Sequence, residues 1–174
     1  EPVMVLNKIE GDAAFFYLEE DDVEEQAVQI TDCMQLAQEK FKEKLSALQY
    51  VQACPCDPCQ QSKDLRLKIV VHRGNFKISQ IREFTELAGQ DVIFVHRLLK
   101  NSIRTDEYWL FTEDFKNLLK TDFVNDLKIH KEKIENFGLQ KLNVLALNSQ
   151  PLSYRGSTML SKFPDLLKML WYYR

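Results

Sequence analysis

Three cysteines stand within six residues of one another, at Cys54, Cys56 and Cys59. The prolines between them forbid a helix through this segment, so we expect the thiols to lie on a loop. Thiolates at this spacing suit Zn²⁺, with a fourth ligand from Cys33, a histidine or a second subunit. Free thiols and a redox disulfide are the alternatives, because structural zinc sites commonly use two Cys-x-x-Cys pairs and this chain contains one.

An acidic turn near the start of the chain offers a different chemistry. Residues 3–9 and 13–18 are rich in β-branched or aromatic side chains, which predicts two strands joined as a hairpin. Gly11 can adopt the positive φ of a tight turn, Asp12 puts a carboxylate at its tip, and Lys8 lies just before it. Apolar residues on both faces predict that this hairpin is central to a sheet. By pattern alone it is a core hairpin with an ordinary turn.

The three histidines have the surroundings of structural residues rather than of metal ligands. His72 ends a predicted strand and His96 lies in an apolar helix, where a hydrogen-bonded structural histidine is the common outcome. His130 lies in a charged stretch and is predicted to be solvated. No Ser-His-Asp order, Walker-type loop or Gly-x-Gly-x-x-Gly motif stands out, and a total of 5 glycines argues against a phosphate-cradling loop.

The elements that position these residues alternate along the chain. Apolar residues spaced by three or four predict one long helix over residues 22–49, acidic at its start and lysine-rich towards its end. Further on we predict, in order, a strand (65–72) with its hairpin partner (76–81), a loop (82–90), a helix (91–100) with Asp91 and Asn101 at its ends, a strand (108–112), a helix (112–119), an unassigned charged stretch (122–137) and a late strand (139–148). This order predicts an α+β fold, ferredoxin-like in plan, with a mostly antiparallel sheet and helices on one face.

Size and composition limit the kind of protein. The 174 residues predict one domain over residues 1–148, followed by a tail over residues 149–174 that holds a short aromatic helix. The tail either packs back on the domain or docks a partner. With 45% hydrophobic and 28% charged residues, the composition is that of an ordinary soluble globular domain.

Charge and hydropathy argue against several classes of function. The net charge of −3 gives no field that favours nucleic acid. No apolar run approaches the roughly 20 residues that span a bilayer, and no signal peptide is visible, so we expect a cytoplasmic protein with reduced thiols. The first predicted strand begins almost at residue 1, which leads us to expect further residues upstream.

Three stretches in order resemble motifs of the class III nucleotidyl cyclases. Residues 8–13 resemble their Lys-x-x-Gly-Asp hairpin, residues 67–74 their strand ending in His-x-Gly, and residues 89–98 their Gly-x-x-Val-Asn-x-Ala-x-Arg-Leu helix. The resemblance covers roughly residues 3–147 and implies a cyclase-type α/β sandwich. The cysteine loop and the run over residues 95–101 resemble a divergent bacterial family related to these cyclases.

The resemblance implies a metal site and a base-reading pair. In the cyclases two Asp residues hold two Mg²⁺ or Mn²⁺ ions that bridge the triphosphate and activate the ribose 3′-hydroxyl for in-line attack. Asp12 matches the second of these Asp residues; the first belongs to an Asp-x-x-Gly-Phe motif one strand upstream, which is absent from residues 1–174. Lys8 matches the lysine that reads the purine edge, and Glu86 matches its acidic partner.

The resemblance also implies a transition-state cation and a dimer. Arg97 matches the catalytic arginine that stabilises charge on the α-phosphate, for which its planar fork is suited. Ile93 stands where the family has the asparagine that positions the ribose, and an isoleucine side chain forms no hydrogen bonds. Because cyclase sites lie between two subunits, a homodimer or a pseudo-dimer with another chain is implied.

Three functions follow from these observations. The first is a divergent cyclase-like domain with impaired catalysis that binds a purine nucleotide or acts as a regulatory or interaction domain. The second is an active cyclase that converts ATP or GTP to a cyclic nucleotide and pyrophosphate with two divalent metals. The third is a zinc-stabilised interaction module built around the cysteine loop.

Overall fold

Twelve elements follow one another in the computed structural model, which describes residues 4–19, 22–51, 57, 61 and 64–147. In chain order they are β1 (Val5–Glu10), β2 (Ala13–Tyr17), α1 (Val23–Val51), β3 (Lys68–Val71), β4 (Lys77–Ile81), β5 (Phe84–Ala88), α2 (Gln90–Leu98), β6 (Tyr108–Thr112), α3 (Glu113–Lys116), α4 (Thr121–Val124), β7 (Lys128–Ile134) and β8 (Gly138–Ala146). The α+β class is confirmed, since helices and mainly antiparallel strands are interleaved along the chain.

The chain divides into two compact units. One consists of Glu1–Met34 and Lys68–Leu147, and the other of Gln35–Leu67 and Asn148–Arg174. The first unit holds every strand of the described residues, and α1 begins in it and continues into the second. The predicted tail over residues 149–174 lies outside the described part of the chain, so the predicted domain division stays a prediction.

A four-stranded sheet forms the core of the first unit, in the spatial order β3-β6-β8-β7. β6 is buried along its whole length because both of its faces pack against helices. On one face Leu110 lies in a cluster with Leu98 of α2, and on the other Phe111 lies in a cluster with Met34 of α1. The prediction of helices on one face is therefore wrong. Pairing is antiparallel except between β3 and β6, which run parallel.

The opening hairpin has the predicted strands but not the predicted position. β1 and β2 pair antiparallel, and Gly11 takes a φ of 62° in the turn between them. Among the described strands they pair only with each other, and Ile9 is 69% exposed. The prediction that this hairpin is central to a sheet is wrong, because apolar side chains left on an exposed face have the same sequence pattern as buried ones.

Two strands appear where none was predicted. β4 pairs with β5, which lies inside the predicted loop over residues 82–90, and not with the strand before it. Arg82 takes a φ of 56° in the tight turn between them. β7 lies in the charged stretch, where lysines on an edge strand hide the period of two. A search for alternating apolar residues therefore does not identify these polar strands at the edges of sheets.

The helices follow their sequence signals more closely. α1 is predicted to within two residues at each end, and its inward stripe includes the buried Ala27 and Met34. The backbone N–H of Glu25 donates to Asp22 Oδ1 at 3.2 Å, which caps the start of α1. Asn101 closes α2, because its Nδ2 donates to the carbonyl oxygen of Leu98 at 2.7 Å.

The turn after β3 packs directly on the first residues of α2. The backbone N–H of Asn75 donates to Asp91 Oδ2 at 2.6 Å. A Cβ added at Gly74 would lie 2.5 Å from His72 Nε2 and 2.6 Å from Asp91 Cβ. Gly89 has a φ of 155°, and a Cβ there would lie 3.0 Å from the carbonyl oxygen of Asn75. Both glycines are therefore required by this close approach of turn and helix.

Gly74→Ala should lower the free energy of unfolding by about 2–3 kcal/mol, because the added methyl group overlaps a buried ring and the Asp91 side chain. Gly11→Ala is the control, since it has a positive φ but nothing within 4 Å of its Cβ, and it should cost about 1 kcal/mol. Urea unfolding of both variants measures the difference. Equal losses in the two variants would contradict the close packing at Gly74.

Candidate functional site

Lys8 on β1 and Glu86 on β5, which the sequence separates by 78 residues, meet where the two hairpins contact each other. Lys8 Nζ lies 3.5 Å from Glu86 Oε2. Beside them, Asn7 Nδ2 donates to the carbonyl oxygen of Thr85 at 2.8 Å and ties β1 to β5. The pairing of β1 with β2 is irregular between Leu6 and Lys8, and such a bulge redirects the side chains next to it. The two residues that the cyclase resemblance pairs are thus neighbours.

A cavity of about 300 Å³ lies beside this ion pair. Its walls come from β1, from β5 with the residue before it, and from the residue that ends β2. Lys8 supplies a cation to its lining, and Glu83 and Glu86 supply two carboxylates. Apolar and aromatic surface comes from Leu6, Tyr17 and Phe84. An ammonium group donates hydrogen bonds and a carboxylate accepts them, so the pair can engage a heterocycle that carries an acceptor next to a donor.

Glu10 and His96 extend the ion pair away from the cavity. Lys8 Nζ lies 3.3 Å from Glu10 Oε1, and Glu10 Oε2 lies 3.4 Å from His96 Nδ1 on α2. The hydrogen bond that Lys8 donates to Glu10 is the main cause that raises the pKa of Lys8 above its usual value. The charge of Glu86 also raises this pKa, while desolvation lowers it. Lys8 is therefore a permanent donor at neutral pH.

Asp12 stands alone at the tip of the first hairpin. Its side chain is exposed. Within the described ranges, no group of three His, Cys, Asp or Glu side chains is arranged to hold a metal ion. The carboxylate of Glu10, two residues away, is engaged by Lys8 and His96. Asp12 is thus the one candidate ligand of the predicted Mg²⁺ or Mn²⁺ site among the described residues, and the site stays a prediction.

Arg97 is turned towards the β7–β8 turn. Its guanidinium donates to the carbonyl oxygen of Glu135, lies 3.0 Å from Glu135 Oε2, and stands 5.9 Å from the centre of the Phe137 ring. It does not line the cavity beside Lys8. Ile93, one turn earlier on α2, is 51% exposed. The structure therefore brings together the predicted base-reading pair and leaves Arg97 outside it.

The predicted zinc ligands Cys54, Cys56 and Cys59 lie outside the described residues. Cys33, a candidate fourth ligand, is a half-buried free thiol on α1. Zinc binding at the cysteine loop stays a prediction.

Two polar clusters in the structure join residues that no sequence pattern had linked. One is the Glu10–His96 contact, which joins residues far apart in the chain and has no local signal. The other joins Ser102 to β7: Ser102 Oγ donates to Glu132 Oε2 at 2.6 Å, and His130 Nε2 lies 2.9 Å from the same oxygen. The pKa of Glu132 is lowered, chiefly by the Ser102 hydrogen bond. Because one carboxylate oxygen takes both partners, this cluster lacks the Ser-His-carboxylate order of a hydrolase.

His72 is the structural histidine that its position predicted. Its side chain is 7% exposed, and its Nδ1 lies 2.9 Å from Thr112 Oγ1. Burial lowers the pKa of His72, although the Asp91 carboxylate 3.5 Å from Nε2 acts in the opposite direction. The ring is thus held neutral between the end of β3 and the start of α2.

The chain belongs to the family described as "Protein of unknown function (DUF2652)", whose model matches residues 2–108. It is also 34% identical over 110 residues to a relative from Mycobacterium tuberculosis described as "Uncharacterized protein Rv2561/Rv2562". That match covers 63% of this chain and 50% of the relative, so the chain spans about half the length of the curated relative it matches. No solved structure matches the chain. Among the described helices, none has the length and apolar character to cross a membrane.

The free energy of unfolding should fall as the pH drops below about 6.5, the ordinary pKa of histidine. The reason is that unfolded His72 takes up a proton there while the folded, buried ring resists it. The slope due to this group reaches at most about 1.4 kcal/mol per pH unit. In His72→Gln this part of the slope should vanish, whereas His130→Gln should retain it. Urea unfolding between pH 5 and 8 (roughly the histidine range) gives the slopes, and an unchanged slope in His72→Gln contradicts the assignment.

Proposed function

We propose that this chain is a divergent class III cyclase-like domain that binds a purine nucleotide through Lys8 and Glu86 and has impaired catalysis. The observation that carries the proposal is the 3.5 Å contact between these two side chains beside a cavity of about 300 Å³. The cyclase resemblance pairs the same two residues as base reader and acidic partner. Both lie within the part of the chain that the family model matches.

The chemistry of the pair suits a purine edge. The Lys8 ammonium donates to a ring nitrogen or carbonyl oxygen, and the Glu86 carboxylate accepts from an amino or imino group. The exposed ring of Phe84 and the ring of Tyr17 supply flat apolar surface in the same lining. The cavity is at the lower end of the volumes of small-ligand sites, which fits a base better than a whole nucleotide.

Two observations support impaired catalysis. Ile93 offers no hydrogen bond for a ribose. The Arg97 guanidinium contacts Glu135 and Phe137, which compete with a phosphate for it. A regulatory or interaction role for the bound nucleotide is consistent with both.

A second subunit and a further strand belong to the same proposal. In the described part of the chain, β3 pairs only with β6, and β2 pairs only with β1. Each of these two strands therefore has one edge at which a further strand of a cyclase-type sandwich can pair. Leu6 and Phe84 are 49% and 61% exposed on the two hairpins. Apolar side chains exposed in this way fit a homodimer or pseudo-dimer interface. A purine nucleotide ligand also fits the cytoplasmic location that we propose.

Binding of ATP and GTP by isothermal titration calorimetry tests the proposal. We expect saturable binding of at least one of them in the presence of Mg²⁺. Lys8→Met and Glu86→Gln should each weaken it by about tenfold or more, since each removes a hydrogen bond to a charged group. Lys141→Met is the matched control, because it removes another ion-paired lysine, 3.2 Å from Glu113, that does not line the cavity. Binding that neither cavity variant changes would refute the assigned site.

Incubation with ATP or GTP and Mn²⁺ tests the impaired catalysis. We expect no cyclic nucleotide above the buffer background, and no change in Asp12→Ala or Arg97→Ala. Formation of cyclic nucleotide by the wild-type chain, with loss in both variants, would establish the alternative of an active cyclase.

A further inference from the structure

Four charged or polar side chains form a row that leads from the cavity to α2. Glu86 on β5 contacts Lys8 on β1 at 3.5 Å, Lys8 contacts Glu10 at 3.3 Å, and Glu10 contacts His96 on α2 at 3.4 Å. Three elements of the first unit are thus joined by one row of polar contacts. The first two members belong to the proposed nucleotide site, while nothing has yet been assigned to Glu10 or His96.

The local structure fixes the inner end of this row. Lys8 and Glu10 are two residues apart on β1, so their side chains lie on the same face of the strand. The irregular pairing before Lys8 sets it opposite Phe15 and sets Glu10 opposite Ala13. The Phe15 ring centre lies 4.8 Å from that of His96. The aromatic contact holds the imidazole at the position where its Nδ1 meets Glu10.

We propose that Glu10, held by His96, is a positioning residue for Lys8. This inference rests on the proposed nucleotide site and explains what orients the Lys8 side chain in it. A lysine ammonium has three hydrogen-bond donors. Glu10 and Glu86 each engage one of them, so the third has a fixed direction for the ligand. Without Glu10 the long, flexible lysine side chain would lose this direction.

The proposal predicts an effect on selectivity as well as on affinity. A fixed donor discriminates between a ring nitrogen and a carbonyl oxygen at the purine edge, whereas a mobile ammonium group accepts either. His96 acts on Lys8 only through Glu10. Glu10 is the carboxylate that faces His96. The neighbouring cation on α2, Arg97, contacts Glu135 instead.

Calorimetry with ATP and GTP tests the effect on the site. In Glu10→Gln we expect binding of the preferred nucleotide to weaken by about three- to tenfold and the ratio of the two affinities to move towards one. His96→Gln should act in the same direction but less strongly, and the double variant should be no worse than Glu10→Gln. Glu132→Gln is the matched control, because it removes the carboxylate of another Glu–His pair, 2.9 Å from His130. Additive losses in the double variant, or an unchanged affinity ratio, would overturn the proposal.

A measurement without nucleotide separates this inference from the proposed function. The mobility of the Lys8 ammonium group is followed by ¹⁵N NMR relaxation in the wild-type chain, Glu10→Gln and Glu132→Gln. Glu10→Gln should make the Lys8 Nζ group more mobile, because the contact at 3.3 Å is lost, whereas Glu132→Gln should leave it unchanged. A Lys8 signal that Glu10→Gln does not change overturns the positioning row, even if nucleotide binds. If the mobility rises as expected and the wild-type chain binds no purine nucleotide, the positioning row stands and the proposed function fails.

Discussion

The close packing of the turn after β3 on the start of α2 determines where the candidate site lies. Gly74 and Gly89 allow the backbone of the turn to approach the helix, and Asp91 accepts the N–H of Asn75 across the gap. This contact fixes where α2 begins relative to the central sheet. α2 in turn carries His96, which reaches Glu10 and, through it, Lys8. The contacts of Lys8 are therefore linked, through Glu10 and His96, to a helix whose start packs on this turn.

The predictions that succeeded rest on local pattern. The apolar stripe identified α1, and Asn101 was identified as the end of α2, because both signals come from neighbouring residues. The predictions that failed concern polar strands and contacts between distant residues. The polar strands β5 and β7 lack the alternation of a half-buried strand. The parallel pairing of β3 with β6 and the burial of both faces of β6 depend on elements that no single segment specifies.

The candidate site divides in the same way. The meeting of Lys8 and Glu86 was expected from the resemblance alone, because no local pattern relates residues 78 positions apart. The contact of Glu10 with His96 had no signal in the sequence. Arg97 matches a catalytic motif by spacing, yet its guanidinium contacts Glu135. A motif fixes the position of a residue on its helix, while the neighbouring elements decide which group its side chain contacts.

Contact of the Lys8 ammonium with a purine base is tested most directly by NMR of a chain labelled with ¹⁵N at the lysine side chains, titrated with ATP or GTP. We expect a saturable shift of the Lys8 Nζ signal and no shift of Lys141 Nζ, which lies beside Glu113. A titration in which the Lys8 signal stays constant up to saturating nucleotide would contradict this contact.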